Sequence, residues 1–91
     1  MKIEIYTQAL CGFCTMAKRL LNKKGLAFDE IDVTGNAPLR ASMSERAGGR
    51  TSTPQIFIGS THIGGCDDLY AADKSGKLDT VLAQEASAAG A

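Results

Sequence analysis

Residues 8–21, QALCGFCTMAKRLL, set two cysteines three positions apart and then run into an apolar repeat. From Phe13 onward, Phe13, Met16, Ala17, Leu20, Leu21 and then Lys24 follow a 3.6-residue period. That spacing predicts a helix over about 12–24, with Gly25 as its stop. Upstream, KIEIY alternates Ile3 and Ile5 with Lys2 and Glu4, the period of a half-buried strand. The cysteines therefore fall at a strand-to-helix junction, and the chain opens as a βα unit.

Reading outward, LAFDEIDV (26–33) predicts a second strand, with Ile31 and Val33 in alternation. GNAPLRASMSERAGG (35–49) opens with turn residues and carries Pro38 where a first helical turn tolerates it. Leu39, Met43 and Ala47 then recur at intervals of four until Gly48-Gly49 ends the helix. PQIFIG (54–59) is a continuous apolar run suited to a central strand buried on both faces. GST is a short turn and HIGG a returning strand, so the two strands pair as a hairpin. CDDLYAADKSG predicts a short helix, with Asp67 and Asp68 at the end where a helix dipole favours negative charge. KLDTVLAQEA is a last helix, and SAAGA (87–91) is expected to be a flexible tail beyond a single domain over 1–86.

The order β-α-β-α-β-β-α-α implies a crossover between parallel strands and an antiparallel partner from the hairpin. The expected fold class is α/β: a four-stranded mixed sheet with helices on both faces.

Ninety-one residues have room for one core. Ten basic side chains balance ten acidic ones and aromatics are 5%, a composition without the footprint of a nucleic-acid or anionic-membrane binder. No apolar run reaches the length of a bilayer span. MKIEIYTQAL is interrupted by Glu4 and Gln8, unlike a signal peptide, so a cytoplasmic location is expected.

Three chemistries fit the cysteine pair. A permanent staple suits neither three cysteines in total nor a reducing compartment. Zinc has material in Cys11, Cys14, His62 and Cys66, but the two pairs lie much further apart than the ~12–20 residues of ribbon-type sites. Redox chemistry suits the junction best. Cys11 falls at the first helical turn, where unpaired N–H groups and the dipole stabilise an anion, and Cys14 is one turn on. Thiolate at Cys11 can attack a disulfide, and Cys14 can resolve the mixed disulfide. A thiol near ~8.5 is only about 3% ionised at neutral pH. Reaching ~5 takes about 4.8 kcal/mol, of which a helix terminus supplies roughly 0.3–2. Direct hydrogen bonds must supply the rest.

IYTQALCGFCTMAKRLL, RTSTPQIFIG and HIGGCDDLYA occur together in the order found in glutaredoxins, which this sequence resembles along nearly its whole length. The resemblance implies the thioredoxin fold, and a cytoplasmic, monomeric enzyme that reduces protein disulfides and glutathionylated proteins with glutathione. It makes Cys11 the nucleophile and Cys14 the resolving thiol. Tyr6 and Phe13 match apolar and aromatic positions around the site, and Thr53-Pro54 matches a pair joined by a cis peptide, with Thr53 facing the substrate. In GGCDD, Gly64 and Gly65 permit close approach, the N–H groups of Cys66 and Asp67 hold a carboxylate, and the Asp67 carboxylate holds an ammonium. Asp67 as a plain N-cap is the structural alternative. Arg40 matches a position serving the glycyl carboxylate. Cys66 is otherwise expected to be a half-buried, non-catalytic thiol, and His62 an exposed strand residue without chemistry.

Three departures stand out. Gln8 replaces a lysine common in the family, which removes a full charge from the glycyl end. Gly12 replaces a proline common between the cysteines and restores an N–H. Relatives without that proline include some that hold a [2Fe–2S] cluster between subunits with glutathione as co-ligand, so Cys11 as a cluster ligand is the alternative reading. Thr53 replaces a common valine.

Overall fold

The computed structural model describes residues 1–89. Its elements are β1 (Ile3–Thr7), α1 (Gly12–Lys23), β2 (Asp29–Asp32), α2 (Ala37–Arg46), β3 (Gln55–Ile58), β4 (Thr61–Gly64), α3 (Cys66–Ser75) and α4 (Lys77–Ala89). One sheet runs β2-β1-β3-β4, with β1 and β2 parallel and the other neighbours antiparallel. The expected order and mixed sheet are both present.

Local chemistry sets the helix ends. After α1, Gly25 takes φ 71°; its N–H donates to the Asn22 carbonyl and the Leu26 N–H to the Leu21 carbonyl, both at 3.0 Å. These paired bonds satisfy carbonyls that a helix end would leave bare, with a left-handed residue only glycine adopts cheaply. At α2, the Asn36 Oδ1 accepts the Leu39 N–H at 3.0 Å and Pro38 occupies the first turn. The strand expected over 26–33 is confined to Asp29–Asp32, because the chain spends residues 24–28 leaving α1. The return strand begins at Thr61, one residue earlier than expected. α4 continues through Ser87 to Ala89, into the stretch expected to be a tail, since alanine is the strongest helix former. Residues 90–91 lie outside the described residues.

The two-residue alternation of the strands divides the core. Ile3, Ile5, Ile56 and Ile58 face a cluster completed by Ala17, Leu20 and Leu21 of α1, Leu69 of α3, and Leu78 of α4. Tyr6 and Phe57 point the other way, to Val33 and to Met43 of α2. All four residues of β3 are buried, polar Gln55 with the three apolar residues that follow it, as expected of a central strand. Tyr6 therefore does not border the cysteines as the resemblance implied. It is 7% exposed, packs edge-on to Phe57 at 5.7 Å, and accepts a 3.3 Å hydrogen bond from Arg46. No helix among the described residues is long and apolar enough to cross a membrane.

Candidate functional site

The loop between β1 and α1 carries the cysteines. The Ala9 N–H donates to Thr34 Oγ1 at 2.8 Å, which anchors the loop to the chain after β2. Leu10 is fully exposed with φ 57°, a left-handed conformation costly for a branched side chain. Cys11 follows as the N-cap of α1, and its sulfur accepts the Cys14 N–H at 3.1 Å. Serine or aspartate usually fills this role; here the capping atom is the sulfur itself. Cys11 and Cys14 are joined in a disulfide with their Cα atoms 5.2 Å apart. Their exposures differ: Cys14 is 2% exposed, whereas Cys11 is half-buried. An incoming disulfide can reach only the first sulfur.

The loop before β3 supplies the opposite wall. The Thr53–Pro54 peptide is cis, as the resemblance implied. The Thr53 hydroxyl donates to the Cys11 sulfur at 3.6 Å, and the Thr53 carbonyl oxygen lies 3.7 Å from it. Beneath the loop, Gln55 is fully buried and its Nε2 donates to the Ser52 carbonyl at 2.9 Å. With the amide nitrogen engaged, Gln55 Oε1 must accept, so His62 Nε2 donates to it at 2.7 Å. His62 also stacks on Phe57 at 4.7 Å. It is thus half-buried rather than exposed, because it closes a hydrogen-bond chain that supports the Ser52–Thr53 backbone. Burial, foremost, holds the imidazole pKa below its usual value.

The turn into α3 completes the site. Gly64 has φ 116° and Gly65 is the N-cap. The helix begins at Cys66, so Asp67 is not the N-cap; the carboxylate that reaches back belongs to Asp68, whose Oδ2 accepts the Gly65 N–H at 2.9 Å. Arg50 Nη1 donates to the same oxygen at 3.0 Å. The Gly65 N–H, then Arg50, hold the Asp68 carboxyl below the usual carboxylate range. Cys66 is 5% exposed; burial, then the Asp67 charge, push its thiol up, away from reactivity.

A cleft of 220 Å³ joins these parts, running from Phe13 past Thr53 and Pro54 to Gly65, Cys66 and Asp67. Six of the residues expected to bind glutathione thus share one wall-to-wall site. Gln8 and Arg40 lie apart from it. Arg40 Nη1 donates to the Thr51 carbonyl at 3.1 Å and Nη2 bonds the Gln8 side-chain oxygen, so each occupies the other. Sequence reasoning missed Arg50, Ser52 and Asp68, which also line the cleft. An acidic residue three positions after Gly65 is the signal that could have found Asp68. The zinc quartet is not assembled: among the described residues no three His, Cys, Asp or Glu side chains converge.

The glutaredoxin family profile matches residues 3–63. Glutaredoxin 3 of Escherichia coli is 54% identical over 80 residues, which cover 88% of this chain and 95% of that protein. The solution structure of glutaredoxin from Brucella melitensis shares 54% identity with a TM-score of 0.79, covering 90% of this chain and 88% of that one. The crystal structure of a buckwheat glutaredoxin–glutathione complex is 26% identical with a TM-score of 0.80, over 92% and 78% of the two chains.

Proposed function

The chain belongs to the glutaredoxin family and is a thiol–disulfide oxidoreductase, and from that premise we propose that it reduces protein disulfides and glutathionylated proteins at the expense of glutathione. The observation that carries this reading is a single cleft that runs from Thr53, whose hydroxyl reaches the Cys11 sulfur at 3.6 Å, to the N-terminus of a second helix.

The chemistry follows from the two cysteine environments. Reduced Cys11, as thiolate, attacks one sulfur of a glutathionyl mixed disulfide; a bond forms between Cys11 and glutathione, and the protein thiolate leaves. A second glutathione, as thiolate, then attacks the glutathionyl sulfur, releasing oxidised glutathione and Cys11 thiolate. With a protein disulfide, Cys14 instead attacks the Cys11 sulfur of the mixed disulfide and expels the reduced protein. Two glutathiones then reopen the internal bond. Burial suits Cys14 to this second role, since only an adjacent sulfur can reach it.

Glutathione fits the cleft by charge. Its thiol end meets Cys11, and the Thr53 backbone is placed to pair with its cysteine like an added strand. The first N–H groups of α3 suit the γ-glutamyl carboxylate, and exposed Asp67 suits its ammonium. For the glycyl carboxylate we assign Arg40, which reaches the Thr53 loop through the Thr51 carbonyl and whose guanidinium Gln8 holds. Bacterial relatives support action in the cytoplasm.

A [2Fe–2S] cluster is the second reading. One chain fits it only in part: Cys11 is the single accessible thiolate, because Cys14 and Cys66 are buried. A cluster would need a second chain and two glutathione thiolates, and would supply one-electron chemistry. Gly12, with open space around it, is the feature that admits it.

The decisive experiment is turnover of a small glutathionyl mixed disulfide coupled either to glutathione and glutathione reductase or to thioredoxin reductase. Rapid oxidation of NADPH is expected only in the first coupling. Equal or greater turnover in the second overturns the assignment. A coloured dimer after anaerobic reconstitution with iron and sulfide would favour the cluster reading.

A further inference from the structure

The cleft is built from two pieces of chain far apart in sequence: the loop that carries Thr53, and the Gly64–Gly65 turn that starts α3. Arg50 belongs to the first and lies directly on the second. A β-carbon at Gly65 would stand 3.4 Å from Arg50 Nη2 and 3.5 Å from the Pro54 carbonyl oxygen, and one at Gly64 would stand 2.8 Å from Arg50 Nη1. The Asp68 oxygen that Arg50 holds is also the one that accepts the Gly65 N–H.

We propose that Arg50 and Asp68 are positioning residues, a clasp that sets the α3 N–H donors at the correct separation from Thr53 and so tunes selection of glutathionyl substrates. The proposal rests on the glutathione reading given above.

Two observations favour geometry over simple stability. Both side chains are nearly half exposed, at 47% and 46%, a setting in which an ion pair stabilises a fold very little. Asp68 also decides which N–H groups remain for a ligand. The first bond within α3 runs from the Leu69 N–H to the Gly65 carbonyl at 3.0 Å. The Gly65 N–H is taken by Asp68, so the donors left at the cleft are those of Cys66 and its two successors. Their distance from Thr53 depends on how the turn is held, and Arg50 is the side chain that bridges it.

The test is a double-variant cycle in the full chain, using a glutathionylated peptide and the same peptide bearing a cysteinyl mixed disulfide. Arg50→Gln and Asp68→Asn are each expected to raise KM for the glutathionylated peptide about fivefold with kcat within about twofold. The double variant is expected to be no worse than either single one, because both break one contact. Arg50→Lys keeps the charge and is expected to recover most of the loss. Melting temperatures separate these effects from loss of fold. Additive losses, or a fall in kcat as large as that in kcat/KM, overturn the clasp. If the unaltered protein shows no preference for the glutathionyl peptide, the glutathione reading fails and the clasp with it. If that preference exists and survives in both variants, only the clasp fails.

Discussion

α1 and α3 both begin beside the cleft, yet their first turns carry opposite chemistry. α1 has no acidic residue in its first turn, and its cap is the sulfur of Cys11. α3 has Asp67 and Asp68 in its first turn, and its Gly65 cap is backed by the Asp68 carboxylate. A helix N-terminus carries roughly half a positive charge that any anion can use. At α1 that field is left for the anion formed when Cys11 ionises. At α3 one carboxylate is spent on the turn itself, and the other is left exposed to meet a cation. In the function proposed above, one terminus makes a nucleophile and the other a receptor for a zwitterion.

Removing the α1 anion should have the largest effect. Cys11→Ser is expected to abolish both reduction of protein disulfides and removal of glutathione, read in the glutathione reductase-coupled assay. Cys14→Ser is expected to lose most of the first activity and keep the second. Retention of protein-disulfide reduction by Cys14→Ser would mean that the buried thiol does not resolve.

At the other terminus, Asp67→Ala is expected to raise KM for glutathionylated peptides about tenfold, the loss of a charge-assisted contact. Its melting temperature should stay within a few degrees, since Asp68 rather than Asp67 caps the turn. A large drop in stability with unchanged KM would reverse the roles assigned to the two acids.

The contrast can also be erased by design. Gly12→Glu gives α1 the acidic first turn that α3 has, at a position where a β-carbon meets nothing within 4 Å. The Cys11 pKa is expected to rise by about half a unit, from a dipole-scale interaction of ~0.3–1 kcal/mol. Iodoacetamide alkylation against pH reads it, and an unchanged midpoint means the terminus field contributes nothing.

The smallest effect concerns pH. The Asp68 carboxyl is held low by the Gly65 N–H and Arg50, so folded protein binds its proton less readily than unfolded chain does. Its stabilisation is therefore complete above the unfolded value near ~3.9 and is lost as pH falls through the folded one. Asp68→Asn should flatten the acid limb of urea-measured stability by a few tenths, about 0.3 kcal/mol for so exposed a pair. Glu30 and Glu85 are also held low, the first mainly by the Thr7 hydroxyl and the second by Ser60, so an acid limb remains in the variant.

The contrast between the two termini was half legible in the sequence. The helix starts were readable, because Cys11 precedes an apolar 3.6-residue repeat and GGCDD puts acids after glycines. The mixed sheet followed from the element order, and a buried central strand from the run at β3. What could not be read was tertiary. Tyr6 looked like a neighbour of the site, but strand alternation turns it to the α2 face with Phe57. His62 looked exposed because nothing nearby in sequence shows that Gln55 will reach it. Arg50 had no role in the sequence reading; only the fold lays it over Gly65. Asp67 and Asp68 are adjacent acids, and only the helix register shows that Asp68, not Asp67, reaches back to the Gly65 N–H.

The alkylation rate of the reduced protein followed against pH tests the account most directly. A charged acceptor in a hydrogen bond gains roughly 1.5–3 kcal/mol and a helix terminus ~0.3–2. Together these place the Cys11 midpoint at about 5–7. A midpoint in that range, lost in Cys11→Ser, is the expected result; a midpoint above about 8, the ordinary thiol range, contradicts it.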